Sequence, residues 1–280
     1  MHRFSRFLCV ALAVSVLTIS GCEKGKDDKS DIKKSESSVA ESKTESVSEV
    51  SNIGKYLSNM AEKLSNGYTM HCTVTTSNSD KVIKLTRAVN GESVYQLQEE
   101  SVGSYGIISV DGNTYNFDNA AGMYQKTDAD ARLSIIEEVI NRNLPMSDEC
   151  DYDSCEDVQT EQYIFAGESY ITNICFVFDK KSGDLQKYSL RYSVEGHDDV
   201  IETRTIDKLQ YEADEKYFDI AFLENMTDFG SLNDEDRQTF CKKVCTDRGI
   251  TDTDLKQFNL RQEDFKDIEF STFLNLIYTL

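Results

Sequence analysis

Tryptophan is absent from this 280-residue chain, and proline occurs once, at Pro145. Basic residues are few, with 30 Lys and Arg against 50 Asp and Glu, a formal net charge of −20. The single proline excludes collagen-like and proline-rich low-complexity classes. The cation deficit excludes non-specific nucleic-acid binding, whose affinity comes from Lys and Arg neutralising phosphates. It equally argues against a polybasic membrane-surface helix. Catalytic signatures are missing as well: there is no Gly-x-Ser-x-Gly elbow, no His-Glu-x-x-His helix and no phosphate-cradling glycine loop. Past the first thirty residues only His71 and His197 occur, on the polar side of a strand and in a turn. Acidic pairs are so abundant that none marks a glycosidase centre. The chain is therefore read as non-enzymatic, with no catalytic residue, cofactor or metal site assigned.

The longest apolar run, Phe7–Ile19, is broken by Ser15 and Thr18. It is shorter than the roughly 20 residues that span a bilayer, but it fits the hydrophobic region of a secretory signal behind the basic Arg3 and Arg6. Leu17, Ile19, Ser20, Gly21 and Cys22 follow in the order aliphatic, small, Gly, Cys. This resembles the bacterial lipobox. The resemblance implies that residues 1–21 are a signal peptide and that Cys22 becomes lipidated, anchoring an extracytoplasmic protein to the bacterial cell membrane. Acyl chains contribute about 0.8 kcal/mol per buried CH₂, enough in pairs to hold an acidic protein at a membrane.

Residues 22–51 are dominated by Ser, Lys, Glu and Asp, with isolated aliphatics at Ile32, Val39, Val47 and Val50 and no aromatic. So little apolar surface cannot offset the entropy of ordering, and a disordered linker is expected, averaging about 30 Å end to end.

The folded body starts at residue 52. Ile53, Tyr56, Leu57, Met60, Ala61 and Leu64 share one helical face. From Tyr68 the period changes to two, with Met70, Cys72 and Val74 alternating with polar residues. Turn signals at 78–80, Asn90-Gly91, 103–106 and 111–113 separate strands near 81–89, 93–100, 106–110, 113–118 and 122–126. A helix is expected over 128–141, then an acidic loop at 147–160 and strands near 161–167, 170–179, 185–195, 199–211 and 215–222. The run Ile174–Phe178 is apolar on both faces, so both must be covered. Helices over 233–247, 252–258 and 263–278 close the chain, with Thr251 and either Ser231 or Asn233 as N-caps.

These elements predict an α+β fold: an antiparallel, incompletely closed β-barrel or strongly curved sheet with covering helices. Residues 52–224 form the β-rich domain with N-terminal and inserted helices, and 225–280 a C-terminal helical appendage. The order of elements, with Val110-Asp111-Gly112-Asn113 to Asp118 and then Met123-Tyr124-Gln125-Lys126, resembles the Lol-type lipoprotein-carrier superfamily. That resemblance implies an apolar cavity lidded by helices, and a lipid or acyl-chain ligand. The alternative is an envelope interaction or sensory module that meets a protein partner and has no small-molecule ligand.

Six cysteines remain after Cys9 and Cys22, an even number in an oxidising compartment. Cys150 and Cys155 flank a short acidic loop, and Cys241 and Cys245 sit i, i+4 on one helix. We take these four as candidate disulfide partners stapling the loop to the helix. Cys72 and Cys175 are either core thiols or a cross-strand pair. The C-x₄-C and C-x₃-C spacings differ from zinc knuckles. Asp151-x-Asp153 begins like a calcium loop, but Glu156 and Gln162 replace its required Gly and Glu.

Overall fold

The computed structural model describes residues 53–128, 135–147, 155–165, 170–193 and 196–280. The signal segment, Cys22, the linker, Cys150 and the Asp151/Asp153 pair lie outside the described residues.

Eleven strands form one sheet: β1 (Tyr68–Thr76), β2 (Ser79–Asn90), β3 (Ser93–Glu100), β4 (Gly103–Val110), β5 (Asn113–Asp118), β6 (Met123–Thr127), β7 (Val158–Ile164), β8 (Ile171–Asp179), β9 (Leu185–Tyr192), β10 (Val200–Gln210) and β11 (Thr227–Asp228). Their order is β11-β6-β5-β4-β3-β2-β1-β10-β9-β8-β7. All neighbours are antiparallel except the short β11, which runs parallel to β6. Strand β10 joins two meanders by pairing with β1 on one side and β9 on the other. The edges do not meet, so the sheet stays open rather than closing into a barrel.

Register carries one row of side chains across the sheet. Cys72 pairs with Leu85, Leu85 with Gln98 and Gln98 with Tyr105; on the other side Val74 pairs with Arg204, Arg204 with Tyr188 and Tyr188 with Phe176. This face is covered by helices. Helix α1 (Lys55–Leu64) buries Leu57, Met60 and Leu64, and Tyr56 meets Phe178 at 5.6 Å between ring centroids. Helix α2 (Ile135–Asn141) buries Ile136 and Val139. Helices α3 (Asp234–Asp247), α4 (Asp252–Gln257) and α5 (Phe270–Thr279) complete the cover within one continuous apolar core. The opposite face carries a smaller cluster, Ile108, Phe117 and Leu223.

Local chemistry explains the ends of these elements. The Asn233 side chain accepts from the amides of Glu235 and Asp236, starting α3, and Thr251 forms a capping box with Asp254 at α4. In the β8–β9 hairpin Asp179 accepts from the amides of Lys181 and Ser182, and Gly183 takes φ +74°. Entry into α1 is held from a distance: Glu161 of β7 accepts from the amides of Tyr56 (2.8 Å) and Leu57 (3.1 Å) and from the Tyr163 hydroxyl (2.8 Å). Gly54 packs against that carboxylate, where a Cβ would collide with it.

All five residues of Ile174–Phe178 are buried, as their two-sided apolarity requires. Two expected elements differ. The strand expected over 215–222 is a pair of 3₁₀ turns, Glu215–Phe218 and Ala221–Asn225. Asp214 caps the first by accepting from Lys216 N, and the turns lay Tyr217 against Tyr95 and Phe222 against Phe117. The last expected helix splits into a 3₁₀ turn at Asp264–Lys266 and α5, with Ile268 buried between them.

Candidate functional site

The face under the helices is not purely apolar. Arg204 bonds Glu202 at 2.7 Å and the Tyr188 hydroxyl at 3.2 Å, all three buried. Arg87 donates to the Tyr68 hydroxyl (3.0 Å) and Gln96 (3.1 Å), and pairs with Glu137 of α2 at 3.6 Å. Tyr105 donates to Gln98 at 3.2 Å. Removing one partner of the buried Arg204–Glu202 ion pair costs about 3–5 kcal/mol, so it fixes the arrangement of the core around it.

A third polar cluster docks the C-terminal segment. Asp118, fully buried on β5, accepts from Ala121 N and lies 3.6 Å from Arg248 Nη2. Tyr278 of α5 stacks edge-on against Tyr105 at 4.6 Å and turns its hydroxyl toward Asp118. Neither Asp118 Oδ2 nor Tyr278 Oη reaches full hydrogen-bond geometry. Burial pushes the Asp118 carboxyl above the usual range, against the opposing pull of Tyr278, Ala121 and Arg248.

Beside this cluster, where α5 begins, a pocket of about 470 Å³ opens between the sheet and the C-terminal helices. Asn116 and Gln125 come from β5 and β6. Phe229, Ile268, Phe270 and Leu274, all buried, supply the apolar wall. Arg237 of α3 reaches in with its guanidinium fixed: Nη1 donates to the Lys266 carbonyl, Nη2 to the Leu232 carbonyl, and its carbon sits 5.5 Å from the Phe229 ring centroid. Its Nε–H is buried and has no acceptor. Lys126, Asp267 and Glu269 are exposed at the rim. The volume falls within the range of small-molecule sites, and the mixture of apolar wall and a few polar groups is characteristic of them.

The structure records Cys72, Cys155, Cys175, Cys241 and Cys245 as free thiols. Cys155 is exposed, whereas Cys241 and Cys245 are buried on one face of α3. Burial raises the thiols of Cys72 and Cys241 to about 12 and that of Cys245 to about 11. Cys150 lies outside the described residues, and the staple of the 150/155 loop to α3 stands as a proposal. For Cys72 and Cys175 the sheet decides between the two readings. Strands β10 and β9 separate them, and the register puts Phe176, not Cys175, on the face of Cys72. A cross-strand pair is thereby corrected to two core thiols. His71, expected at the surface, is half-buried: its Nδ1 lies 3.0 Å from Thr86 Oγ1, and burial followed by Lys208 and Lys216 lowers its pKa. His197 is exposed.

Among the described residues no group of three His, Cys, Asp or Glu could hold a metal ion, and no helix is long and apolar enough to cross a membrane. The sequence pointed to the C-terminal helices but not to the pocket. Arg237, Asn116 and Gln125 are brought together by tertiary packing, without a motif that would single them out.

No protein-family model and no curated protein matches the chain. Among solved structures, an outer membrane lipoprotein-sorting protein domain from Vibrio parahaemolyticus is similar at 12% identity and a TM-score of 0.31, covering 60% of this chain and 97% of its own. A DUF1329 family protein from Desulfovibrio piger is similar at 8% identity and a TM-score of 0.33, covering 60% and 96%. Both likenesses are weak.

Proposed function

We propose that this chain is a lipid-anchored extracytoplasmic bacterial protein, non-enzymatic, whose body binds an apolar ligand such as a lipid or acyl chain in the pocket between β5, β6 and α5. The observation that carries the reading is the pocket's apolar wall, Phe229, Ile268, Phe270 and Leu274, where the C-terminal segment meets the sheet. The lipobox at Cys22 supplies the anchor, and the polar linker holds the body clear of the headgroups.

The test has two arms. Intact mass of membrane-extracted protein should exceed that calculated for residues 22–280 by a lipid modification, and the Cys22→Ser variant should carry no such increment. Solvent extraction of the purified protein should release an amphiphile in near-equimolar yield. An unmodified mass removes the anchor. Protein free of extractable lipid favours the second reading, an envelope interaction module. That reading draws on the filled space under the sheet, since α5 itself buries six side chains there.

A further inference from the structure

We propose that the pocket selects an amphiphile with an uncharged head that both donates and accepts hydrogen bonds, a hydroxyl or a carboxamide, and that Asn116 and Gln125 hold that head. The proposal rests on the pocket being the ligand site and adds the chemistry of what enters it. Three observations lead there.

The first is one row of the sheet. Register runs it through Met70, Arg87, Gln96, Ile107, Asn116 and Gln125, from β1 to β6, on the face the helices cover. Amides elsewhere on this face are engaged: Gln96 accepts from Arg87 at 3.1 Å, and Gln98 from Tyr105 at 3.2 Å. Asn116 and Gln125, both half-buried, border the pocket instead. Among the described residues their carboxamides have no hydrogen-bond partner. Residues directly opposite in antiparallel strands stand about 5 Å apart at Cβ, so the two carboxamides are neighbours. Each offers a carbonyl acceptor and two N–H donors.

The second is charge. Lys126 pairs in register with Tyr115, which puts its side chain on the other face, where Nζ bonds Asn113 Oδ1 at 2.7 Å. That leaves Arg237, half-buried beside the Phe229 ring, with Asp267 and Glu269 exposed at the rim. An anionic head passes two carboxylates, and a cationic head comes to rest beside a guanidinium. Either ion also gives up hydration that is costlier to lose than that of a neutral polar group.

The third is the company the amides keep. Phe270 and Leu274 of α5 line the same pocket, so a chain packed on them covers the sheet side as well. A plain hydrocarbon there would strip water from both carboxamides and return no hydrogen bond. A hydroxyl or carboxamide head replaces what the water supplied, meeting both the carbonyls and the N–H groups.

Calorimetric titration of the detergent-free full chain tests the proposal, with octanamide, 1-octanoylglycerol, methyl octyl ether, octanoate and octyltrimethylammonium, each below its micelle concentration. One of the first two should bind about fivefold or more tighter than the ether, which only accepts, and tighter than either ion. Whichever of amide and glyceride is preferred identifies the head. Asn116→Leu and Gln125→Leu, verified as folded by urea unfolding, should each narrow the gap between that probe and the ether. An ion or the ether bound as tightly as both neutral heads, or a gap unchanged in both variants, overturns the head assignment and leaves the pocket standing. No binding of any probe, or binding insensitive to Leu274→Trp, overturns the pocket reading as well.

Discussion

Phe273→Ala tests whether the C-terminal segment is an integral part of the fold. Phe273 is fully buried in α5, stacks on Phe229 at 6.1 Å with the rings 14° apart, and meets Phe265 edge-on at 5.8 Å. Phe229 in turn contacts Phe240 and Phe270, so one ring connects the sheet edge after β11 with both α3 and α5. Truncating a buried Phe costs about 3–5 kcal/mol, and each lost ring contact contributes about 0.5–1.5 kcal/mol within that figure. Against a whole-domain stability of about 5–15 kcal/mol, this loss is large. Urea unfolding followed by circular dichroism should show a fall of about 4 kcal/mol. Val82→Ala, at a position 53% exposed, should stay within about 0.5 kcal/mol. Limited proteolysis of Phe273→Ala should cut within 225–233 before the sheet is lost. A loss below about 1.5 kcal/mol, with unchanged proteolysis, would refute the claim that this aromatic cluster anchors the helices.

Three other predictions concern separate parts of the molecule. Gly54→Ala places a Cβ against the Glu161 carboxylate and displaces it from the amides of Tyr56 and Leu57. Denaturation should register a loss of about 1–2 kcal/mol, as for a removed helix cap, and an unchanged midpoint would contradict the role of Glu161. Asp118 is a buried acid whose pKa is raised, so its stabilising contribution is complete below the ordinary carboxylate pKa of about 4 and is lost as pH rises through the folded value. Wild type should therefore lose stability relative to Asp118→Asn on going from pH 4 upward, and parallel pH profiles would count against it. Finally, iodoacetamide on native protein should label Cys155, which is exposed, well before Cys72, Cys241 or Cys245, which burial keeps protonated. Equal labelling of Cys241 and Cys155 would be incompatible with the packing of α3. Protection of Cys155 until a reductant is added would instead support the disulfide staple.

Much of this architecture can be read in the residues, because local period and turn chemistry agree with it. The alternation of Tyr68, Met70, Cys72 and Val74 sets which side of β1 is covered, and Asn90-Gly91 and Asp111-Gly112 mark hairpins the chain does make. Residues 215–222 misled because a short run holding Tyr217, Phe218, Ile220 and Phe222 reads as a strand, whereas Tyr217 and Phe222 pack from 3₁₀ turns onto aromatic rings of the sheet. The Cys72/Cys175 alternative could not be settled in one dimension, since it depends on which strands lie between. The pocket was least legible. Its cation is one Arg on a helix rich in charge, and only the folded chain shows its guanidinium held by the Lys266 and Leu232 carbonyls beside the apolar wall.

Photo-crosslinking of the purified full chain with a diazirine-bearing single-chain lipid, followed by peptide mapping, tests the central claim most directly. Ligand binding at the seam predicts crosslinks confined to 106–127, 229–237 and 266–274, competed by unlabelled lipid and abolished in Leu274→Trp. Crosslinks scattered over the surface, or confined to other peptides and insensitive to Leu274→Trp, would contradict it.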